Sequence, residues 1–481
     1  MIRPVNRVFP LTITTLAPLH IDSGARLVGD VDFYSDGNTT YVLDSDVALD
    51  LVAQRWEADQ LSPEAQLRKD EAALQAKEVR LRQRRERNIR EISAFEEARP
   101  KDRRKAQQQE ERLTREATQI KAALAELKER RAQLASKVVV ASAVLPDKIV
   151  QSSGFRGLLE TRLISLEDLR GRAELEGRPL VRYVIAGRPQ VTRSQAEIYE
   201  QIKDVADRPY LPGSSLKGAL RSALAWAYAQ DVQPASFQRL SHHGQKTADD
   251  KIEADLFHGK DGPGPRQVGN NGMLRDVLRG LHVGDSAPSA GGLELLHTQV
   301  YPKGSPVAVE AIPANTVLRA TLQVERYMFE HPEARQVLDF GPWPQRLAPV
   351  ALAASCRQRA AALIAAERAF YTGQAPELAR FYKDLEDRLA GLGPRAFMLA
   401  VGWGAGWHSK TLDDRLRADE GREREFVEVV RQYNLKKDRS KSERFSPGGL
   451  FPATRKLSYQ GSRPWRPLGW LLVEIGEEGQ P

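Results

Sequence analysis

The sequence predicts an α+β protein, and three features of its 481 residues support that fold class. Residues 8–44 alternate apolar and polar side chains in strand-like runs around a hairpin turn at Asp36-Gly37-Asn38, and a helix begins at Asp44 or Ser45. Three more strand-like runs lie between residues 293 and 326, and the Ala-rich residues 346–390 are predicted to be helical. Strand, loop, hairpin and helix in this order indicate a sandwich of the ferredoxin type.

Residues 57–135 interrupt this pattern with two long helical runs. Apolar residues recur every seven positions in both runs, at Leu67, Leu74 and Leu81 and then at Leu113, Ile120, Leu127 and Leu134. Pro100 stops the helix between them. We expect an antiparallel, coiled-coil-like helical hairpin with arms of about 48 Å, at about 1.5 Å per residue. Its tip is basic, and the arm is either a contact for RNA or a neighbouring protein, or a solvated helical pair.

Composition limits the class of protein and its partners. The net charge of +8 is concentrated between residues 64 and 135, which contain 20 Lys/Arg and 14 Asp/Glu. The net charge of the rest of the chain is therefore weak evidence for a nucleic-acid binding site. The single cysteine, Cys356, excludes a disulfide framework, and the eight histidines lack metal-ligand spacing, so we expect no cofactor and no metal. No apolar run is long enough to cross a membrane, and we expect a cytoplasmic protein.

The first candidate site is the start of a helix within residues 208–228, RPYLPGSSLKGALRSALAWAY, which follows a predicted helix over 195–207. Ser214 or Ser215 is expected to cap the helix, and Lys217 and Arg221 lie one turn apart near its N-terminus. Free amide groups and two cations suit a phosphate. An ordinary capped helix with surface cations explains the same residues.

The second candidate site is a glycine and tryptophan segment, GWGAGWHSKT, over residues 402–411. It lacks the spacing of a nucleotide-hydrolysing phosphate loop. Gly402, Gly404 and Gly406 permit close approach of a sugar–phosphate chain, the tryptophans offer stacking surfaces, and Lys410 can neutralise a phosphate. The alternative is a glycine turn packed by buried tryptophans.

A third basic stretch lies near the C-terminus, after a predicted basic loop at 436–444. Arg455 and Lys456 precede Arg463 and Arg466, with Tyr459 and Trp465 interleaved, a pattern that suits single-stranded RNA or a basic surface loop. His20 lies on a loop before Gly24, where a structural role or a general base for RNA cleavage are the alternatives.

Six segments taken together resemble, in order, the fifth subunit of type III-A CRISPR Csm effector complexes, a family of the RAMP superfamily. The PGSSLKG element is widespread in that superfamily, whereas GWGxGW-SKT and FPxTR are more specific to the subunit. The matching residues are 11–24 (LTITTLAPLHIDSG), 210–224 (YLPGSSLKGALRSAL), 281–286 (LHVGDS), 399–412 (LAVGWGAGWHSKTL), 450–457 (LFPATRKL) and 467–474 (PLGWLLVE).

The resemblance implies a ferredoxin-like, RRM-like RAMP fold and an RNA-binding role. The chain would hold the 3′ part of the CRISPR RNA at the end of a filament of other Csm-type subunits, meet target RNA indirectly, and lack catalytic residues. This chain departs from the family pattern at Asp22, where Gly is usual, and at Ala453, where Lys is usual. The positions that match the motifs are His20, Gly24, Ser214, Ser215, Lys217, Arg221, Gly402, Gly404, Gly406, Lys410 and Arg455, and Lys456 adjoins them.

We therefore expect two RAMP-like units interrupted by the helical arm. Residues 1–56 begin the N-terminal unit, 57–135 form the arm, 136–330 complete the core, and 331–481 complete a second unit. The expected function is a non-catalytic RNA-binding subunit of a type III CRISPR ribonucleoprotein. The alternatives are an endoribonuclease that processes precursor CRISPR RNA with His20 or His408 as acid or base, and a cap that mainly binds protein.

Overall fold

In the part of the chain that the structure describes, the fold consists of two large β-sheets and a small two-stranded sheet, with helices packed beside them. The computed structural model of the chain describes residues 6–60, 63–97, 103–135, 155–159, 163–190, 196–231, 240, 248–259, 274–417 and 422–479. The strands are β1 Asn6–Thr15, β2 Asp22–Val28, β3 Phe33–Asp36, β4 Thr39–Leu43, β5 Glu174–Leu175, β6 Arg178–Pro179, β7 Val181–Ala186, β8 Glu197–Gln201, β9 Leu281–Val283, β10 Leu293–Tyr301, β11 Val307–Ala311, β12 Val317–Glu325, β13 Ala396–Ala400, β14 Arg455–Gln460, β15 Arg463–Arg466 and β16 Trp470–Ile475.

Strands and helices come largely in separate runs along the chain, as is typical of an α+β fold. They are α1 Ser45–Gln60, α2 Pro63–Glu97, α3 Arg103–Ala135, α4 Leu166–Arg170, α5 Gly213–Tyr228, α6 Asp250–Phe257, α7 Arg326–Glu330, α8 Pro332–Leu338, α9 Trp343–Arg346, α10 Pro349–Tyr371, α11 Pro376–Ala390, α12 Asp413–Leu416, α13 Arg422–Gln432 and α14 Arg439–Glu443. The mixed helix and sheet composition confirms the predicted α+β class.

One sheet joins the two ends of the chain. Its strand order is β13-β16-β1-β12-β9, and every neighbouring pair is antiparallel. Strand β1 lies in the middle, where Ile13 is opposite Leu318 on one side and Val473 on the other. Residues hundreds of positions apart therefore build one hydrogen-bonded sheet.

The larger sheet has the order β2-β8-β11-β10-β7-β4-β3, and β14 pairs with both β10 and β15. Two of its pairings, β10 with β7 and β11 with β8, are parallel. Side chains from both sheets meet in one buried cluster, which includes Ile13 from the first sheet and Ile198 from the second. Burying each such side chain stabilises the fold by about 1.5–3 kcal/mol.

Helices α2 and α3 pack along each other in opposite directions. Arg84 lies 2.8 Å from Glu116, and Asn88 Nδ2 donates to Leu113 O. A residue later in α2 therefore contacts a residue earlier in α3, as in an antiparallel pair. The heptad residues Leu113, Ile120 and Leu127 are buried. Of the residues predicted to form the basic tip, Arg99 and Lys101 lie outside the described residues, and Arg103, Arg104 and Lys105 lie in the first turn of α3. That this pair is an insertion into the fold stays a prediction, as do the domain boundaries.

Three local predictions are wrong. Residues 195–207, predicted as helix, contain strand β8, because Ile198 pairs with Leu27 on one side and Ala308 on the other. The basic segment 436–444, predicted as loop, contains helix α14, whose first turn is capped by the Asp438 carboxylate accepting from Lys441 N. Ser214 and Ser215 do not cap α5, because the helix starts one residue earlier, at Gly213.

A buried carboxylate connects the strands of the larger sheet. Glu310 on β11 is fully buried, and its carboxylate accepts hydrogen bonds from Gln201 N at 2.9 Å, Tyr183 Oη at 2.8 Å and Lys203 Nζ at 2.6 Å. Burial raises the pKa of Glu310, and the Lys203 ammonium opposes that rise. The Lys203 side chain is only 3% exposed, so each charge depends on the other.

We predict that Glu310→Gln lowers the free energy of unfolding by about 3 kcal/mol, because it leaves Lys203 buried with one carboxylate partner fewer. Urea unfolding of the purified chain measures the change. Asp387→Asn, which breaks an exposed pair with Lys383, is the control and is expected to cost at most about 0.5 kcal/mol. Equal losses in the two variants would contradict a structural role for the buried pair.

Candidate RNA interface

The glycine segment after β13 folds as a tight loop against the chain near His20. Gly402, Gly404 and Gly406 have φ values of 80°, 91° and 87°, a region that favours glycine. At Gly402 a Cβ atom would lie 2.6 Å from the His20 carbonyl oxygen, so no side chain fits there. Trp403 N donates to that same oxygen at 2.9 Å. The loop position is therefore fixed by backbone approach.

His20 supports this loop from the protein interior. Its side chain is fully buried, Nδ1 donates to Glu310 O at 2.7 Å, and its ring meets Trp403 edge-on with centroids 5.4 Å apart. Burial lowers the pKa of His20 to about 4, so the imidazole is neutral at pH 7. A buried, neutral ring that holds the loop fits the structural role among the alternatives predicted for this residue.

Two adjacent aromatic rings with a cation at each end form a row beside the loop. Lys456 Nζ lies 3.2 Å from the centroid of the Trp403 ring, and the Trp403 and Tyr199 rings are 5.9 Å apart. The Arg26 guanidinium lies 3.4 Å from the centroid of Tyr199. A cation over an aromatic face is stabilised by the ring quadrupole, so both cations are held in place.

Three lysines share the electrostatic neighbourhood of the glycine loop. Burial, together with the positive charges of Lys437 and Lys410, lowers the pKa of Lys456 to about 8, while Asp22 opposes this shift. Lys410 and Lys437 are exposed, and Lys456 is half-buried. Like charges held close together destabilise the free protein and are relieved by an anion. This cluster is the arrangement most suited to a phosphate.

The PGSSLKG helix lies against the same region. The N-terminal half of α5 carries Ser214 and Lys217, and the helix contacts the turn at 408–410 that carries Lys410. Gly213 N donates to Asp285 Oδ1 at 2.7 Å, so the first amide of the helix is already hydrogen-bonded to a carboxylate. Ser214 is exposed, Ser215 is half-buried, and burial lowers the pKa of Lys217.

Two arginines predicted to bind RNA are held by carboxylates. Arg221 pairs with Glu253 at 2.8 Å and Asp276 at 2.7 Å. Arg455 lies 2.7 Å from Glu367, and its side chain is 9% exposed. Their charges are neutralised within the protein, so we leave both out of the interface proposed below.

The loop after β1 contains one departure from the family pattern, and the structure gives it a local role. Asp22 Oδ1 accepts from Gly24 N at 2.9 Å, which closes a turn in which Gly24 has a φ of 89°. The same carboxylate pairs with Arg26 at 3.0 Å. Asp22 therefore orients the guanidinium that covers Tyr199.

Sequence reasoning missed four residues that build this surface. Arg26 and Tyr199 come from strands β2 and β8, which pair opposite each other, and the basic Lys437 was assigned only to a loop. Arg359 is buried in α10, donates to the main-chain oxygens of His408 and Thr411, and thereby holds the Lys410 turn. Its position gave no signal, because the same Ala-rich helix also carries Arg357, Glu367 and Arg368 and the sequence does not show which charge is buried.

Two negative findings concern only the part of the chain that the structure describes. There, no three His, Cys, Asp or Glu side chains are close enough together to hold a metal ion. Within the same residues, no helix has the length and apolar character needed to span a membrane.

Comparisons with known proteins identify the superfamily and similar folds. The model of the RAMP superfamily matches residues 12–462, and the chain belongs to that superfamily. One similar solved chain is from a Csm–crRNA–target RNA ternary complex of a type III-A CRISPR-Cas system, with 21% identity, a TM-score of 0.56, and coverage of 97% of this chain and 100% of that one. Another is Csm5 of T. onnurineus, with 19% identity, a TM-score of 0.49, and coverage of 96% and 99%. No curated protein matches the chain.

We predict that Gly402→Ala destabilises the chain far more than Gly406→Ala. Both positions have positive φ, which costs an alanine about 1 kcal/mol, but only at Gly402 does the new Cβ meet a backbone oxygen. The expected losses in the free energy of unfolding are about 1 kcal/mol at Gly406 and about 3 kcal/mol or more at Gly402. Urea titration of both variants checks the difference, and similar losses would contradict the tight approach of the loop to His20.

Proposed function

We propose that this chain is a non-catalytic RNA-binding subunit of a type III, Csm-type CRISPR ribonucleoprotein. The observation that carries the proposal is the cluster of Lys410, Lys437 and Lys456 beside the glycine loop, whose Gly402, Gly404 and Gly406 have positive φ. Membership of the RAMP superfamily supports it, and so does the shared fold with a chain from a complex of Csm, crRNA and target RNA.

The topology supports a ferredoxin-like unit within the proposed RAMP fold. Taken in chain order, β1, β9, β12 and β16 lie in the first sheet as β16-β1-β12-β9, with antiparallel neighbours. Helix α5 separates the first two strands along the chain, and α10 and α11 separate the last two. This is the βαββαβ pattern in the spatial order fourth, first, third, second.

The chemistry of the site suits the RNA backbone. Lysines attract phosphates without reading sequence, and glycine amides permit the backbone of the protein to approach the sugar–phosphate chain closely. Among the residues predicted from the sequence, the proposed RNA contacts are Gly402, Gly404, Gly406, Lys410, Lys456, Lys217, Ser214, Ser215 and Gly24. His20 is not among the proposed contacts, because it is buried and positions the loop from the interior.

The proposed place of the chain in the complex follows the resemblance. We infer that it binds the 3′ part of the CRISPR RNA, caps the filament of Csm-type backbone subunits, and meets target RNA only through that guide. The assembly is proposed to act in the cytoplasm in antiviral defence. The α2–α3 pair is proposed to project from this body as an arm.

We predict that Lys410→Ala combined with Lys437→Ala weakens binding of single-stranded guide RNA on the order of tenfold at 0.1 M salt. The salt dependence of log K should become shallower by about 0.7 for each lost phosphate contact. Fluorescence anisotropy across a salt series measures both. Lys383→Ala, which removes an exposed lysine on α11, is the control, and an unchanged slope in the double variant would rule out the lysine site.

We predict that the purified chain does not cut labelled precursor CRISPR RNA in the absence of metal. His20 is buried and neutral, and His408 Nδ1 lies 3.4 Å from Asp413 in a turn held by Arg359. The endoribonuclease alternative requires one of these rings to exchange protons with a 2′-hydroxyl. Specific cleavage products that disappear in His408→Ala or His20→Ala would establish the enzyme instead.

A further inference from the structure

We propose that the outer face of the Arg26 guanidinium is a stacking surface for an unpaired RNA base. This inference rests on the RNA-binding function proposed above. One face of the guanidinium lies 3.4 Å from the Tyr199 ring centroid. Its edge donates to the Asp22 carboxylate at 3.0 Å and to Ala25 O at 2.6 Å. The side chain is 31% exposed, and we assign this exposed area to the remaining face of the plane.

The local charges favour a base over a phosphate at this position. Asp22 neutralises Arg26 and its carboxylate repels a phosphate, whereas the planar guanidinium still offers a polarisable surface to a ring. Guanidinium planes are a recognised platform for unstacked bases in RNA-binding proteins. Tyr199 packs against one face of the guanidinium, and Asp22 accepts hydrogen bonds from its edge. The plane is therefore oriented before RNA binds, and little side-chain entropy is lost on binding.

Arg26 also lies at the end of a longer cation and aromatic surface. Tyr199 adjoins Trp403, and Lys456 Nζ lies over the Trp403 ring, so the row runs from Arg26 to the lysine cluster. Trp465 packs against the same apolar cluster beneath Trp403. A single strand that lays its phosphates on the lysines would thus carry a neighbouring base to the guanidinium plane.

The geometry excludes direct stacking on Trp403 as an equivalent site. Lys456 Nζ lies 3.2 Å from its centroid, Tyr199 faces it at 5.9 Å, and His20 meets it edge-on. The tryptophan is thus a support for the two cations. Arg26 is the member of the row whose flat surface faces outward.

Arg26→Lys tests the inference because lysine keeps the positive charge and a possible pair with Asp22 but lacks the plane. We expect the full-length variant to bind a short, unstructured single-stranded RNA about tenfold more weakly, with an unchanged salt slope. Arg178→Lys is the matched control, since Arg178 pairs with Asp50 at 2.7 Å and is 47% exposed. Its affinity should equal that of the unaltered chain, and thermal unfolding confirms that both variants fold.

An RNA of the same length with abasic sites completes the test. The unaltered chain should bind it more weakly than the intact RNA, and Arg26→Lys should cause no further loss, because base and plane are then both absent. Full affinity of Arg26→Lys for intact RNA, with Lys410→Ala still weakened, would overturn the stacking site and leave the proposed function standing. Full affinity in both variants would contradict the proposed function as well as the stacking site. A shallower salt slope in Arg26→Lys would assign Arg26 to a phosphate and also overturn the stacking site.

Discussion

The buried Glu310 carboxylate is the interaction on which the shape of the candidate site depends. Its side chain gathers Gln201, Tyr183 and Lys203, and its main-chain oxygen accepts from His20. His20 in turn offers its own carbonyl to Trp403 N. A hydrogen-bonded path therefore leads from the interior of the larger sheet to the glycine loop at the surface. A buried ion pair of this kind contributes little net stability but strongly disfavours alternative arrangements, because each charge is costly without its partner.

The surface beside that path carries positive charges that repel one another. Three lysines lie in one electrostatic neighbourhood, and burial together with Lys437 and Lys410 lowers the pKa of Lys456. Three glycines hold positive φ within five residues, and a buried Arg359 supports the turn that follows. Like charges persist where a ligand relieves them, and clustered ammonium groups beside a glycine loop fit a polyanion.

Much of the fold was predictable because it depends on local patterns. The strands at 293–325 and the helices at 349–390 follow from period and composition, and Asp44 begins α1 as expected, its carboxylate accepting from Val47 N. Strand β8 was missed because its burial comes from pairing with β2 and β11, which no local period reveals. The Ser214 cap was wrong because Asp285, 72 positions away, supplies the carboxylate at the helix start.

The site shows the same division between local and distant information. The glycine loop and Lys410 were predictable, since glycines followed by a lysine are visible in the sequence. Arg221 and Arg455 were predicted to bind RNA because of their charge, but their partners Asp276 and Glu367 come from distant segments of the chain. Arg26 and Tyr199 form a pair only because β2 lies beside β8.

Photocrosslinking of the full chain to a guide RNA, followed by mass spectrometry of the nucleotide-bearing peptides, tests the central claim most directly. The account predicts adducts on the peptides that contain residues 402–410 and 22–26, competed away by unlabelled single-stranded RNA. Adducts confined to the α2–α3 arm, or to surfaces remote from the glycine loop, would contradict it.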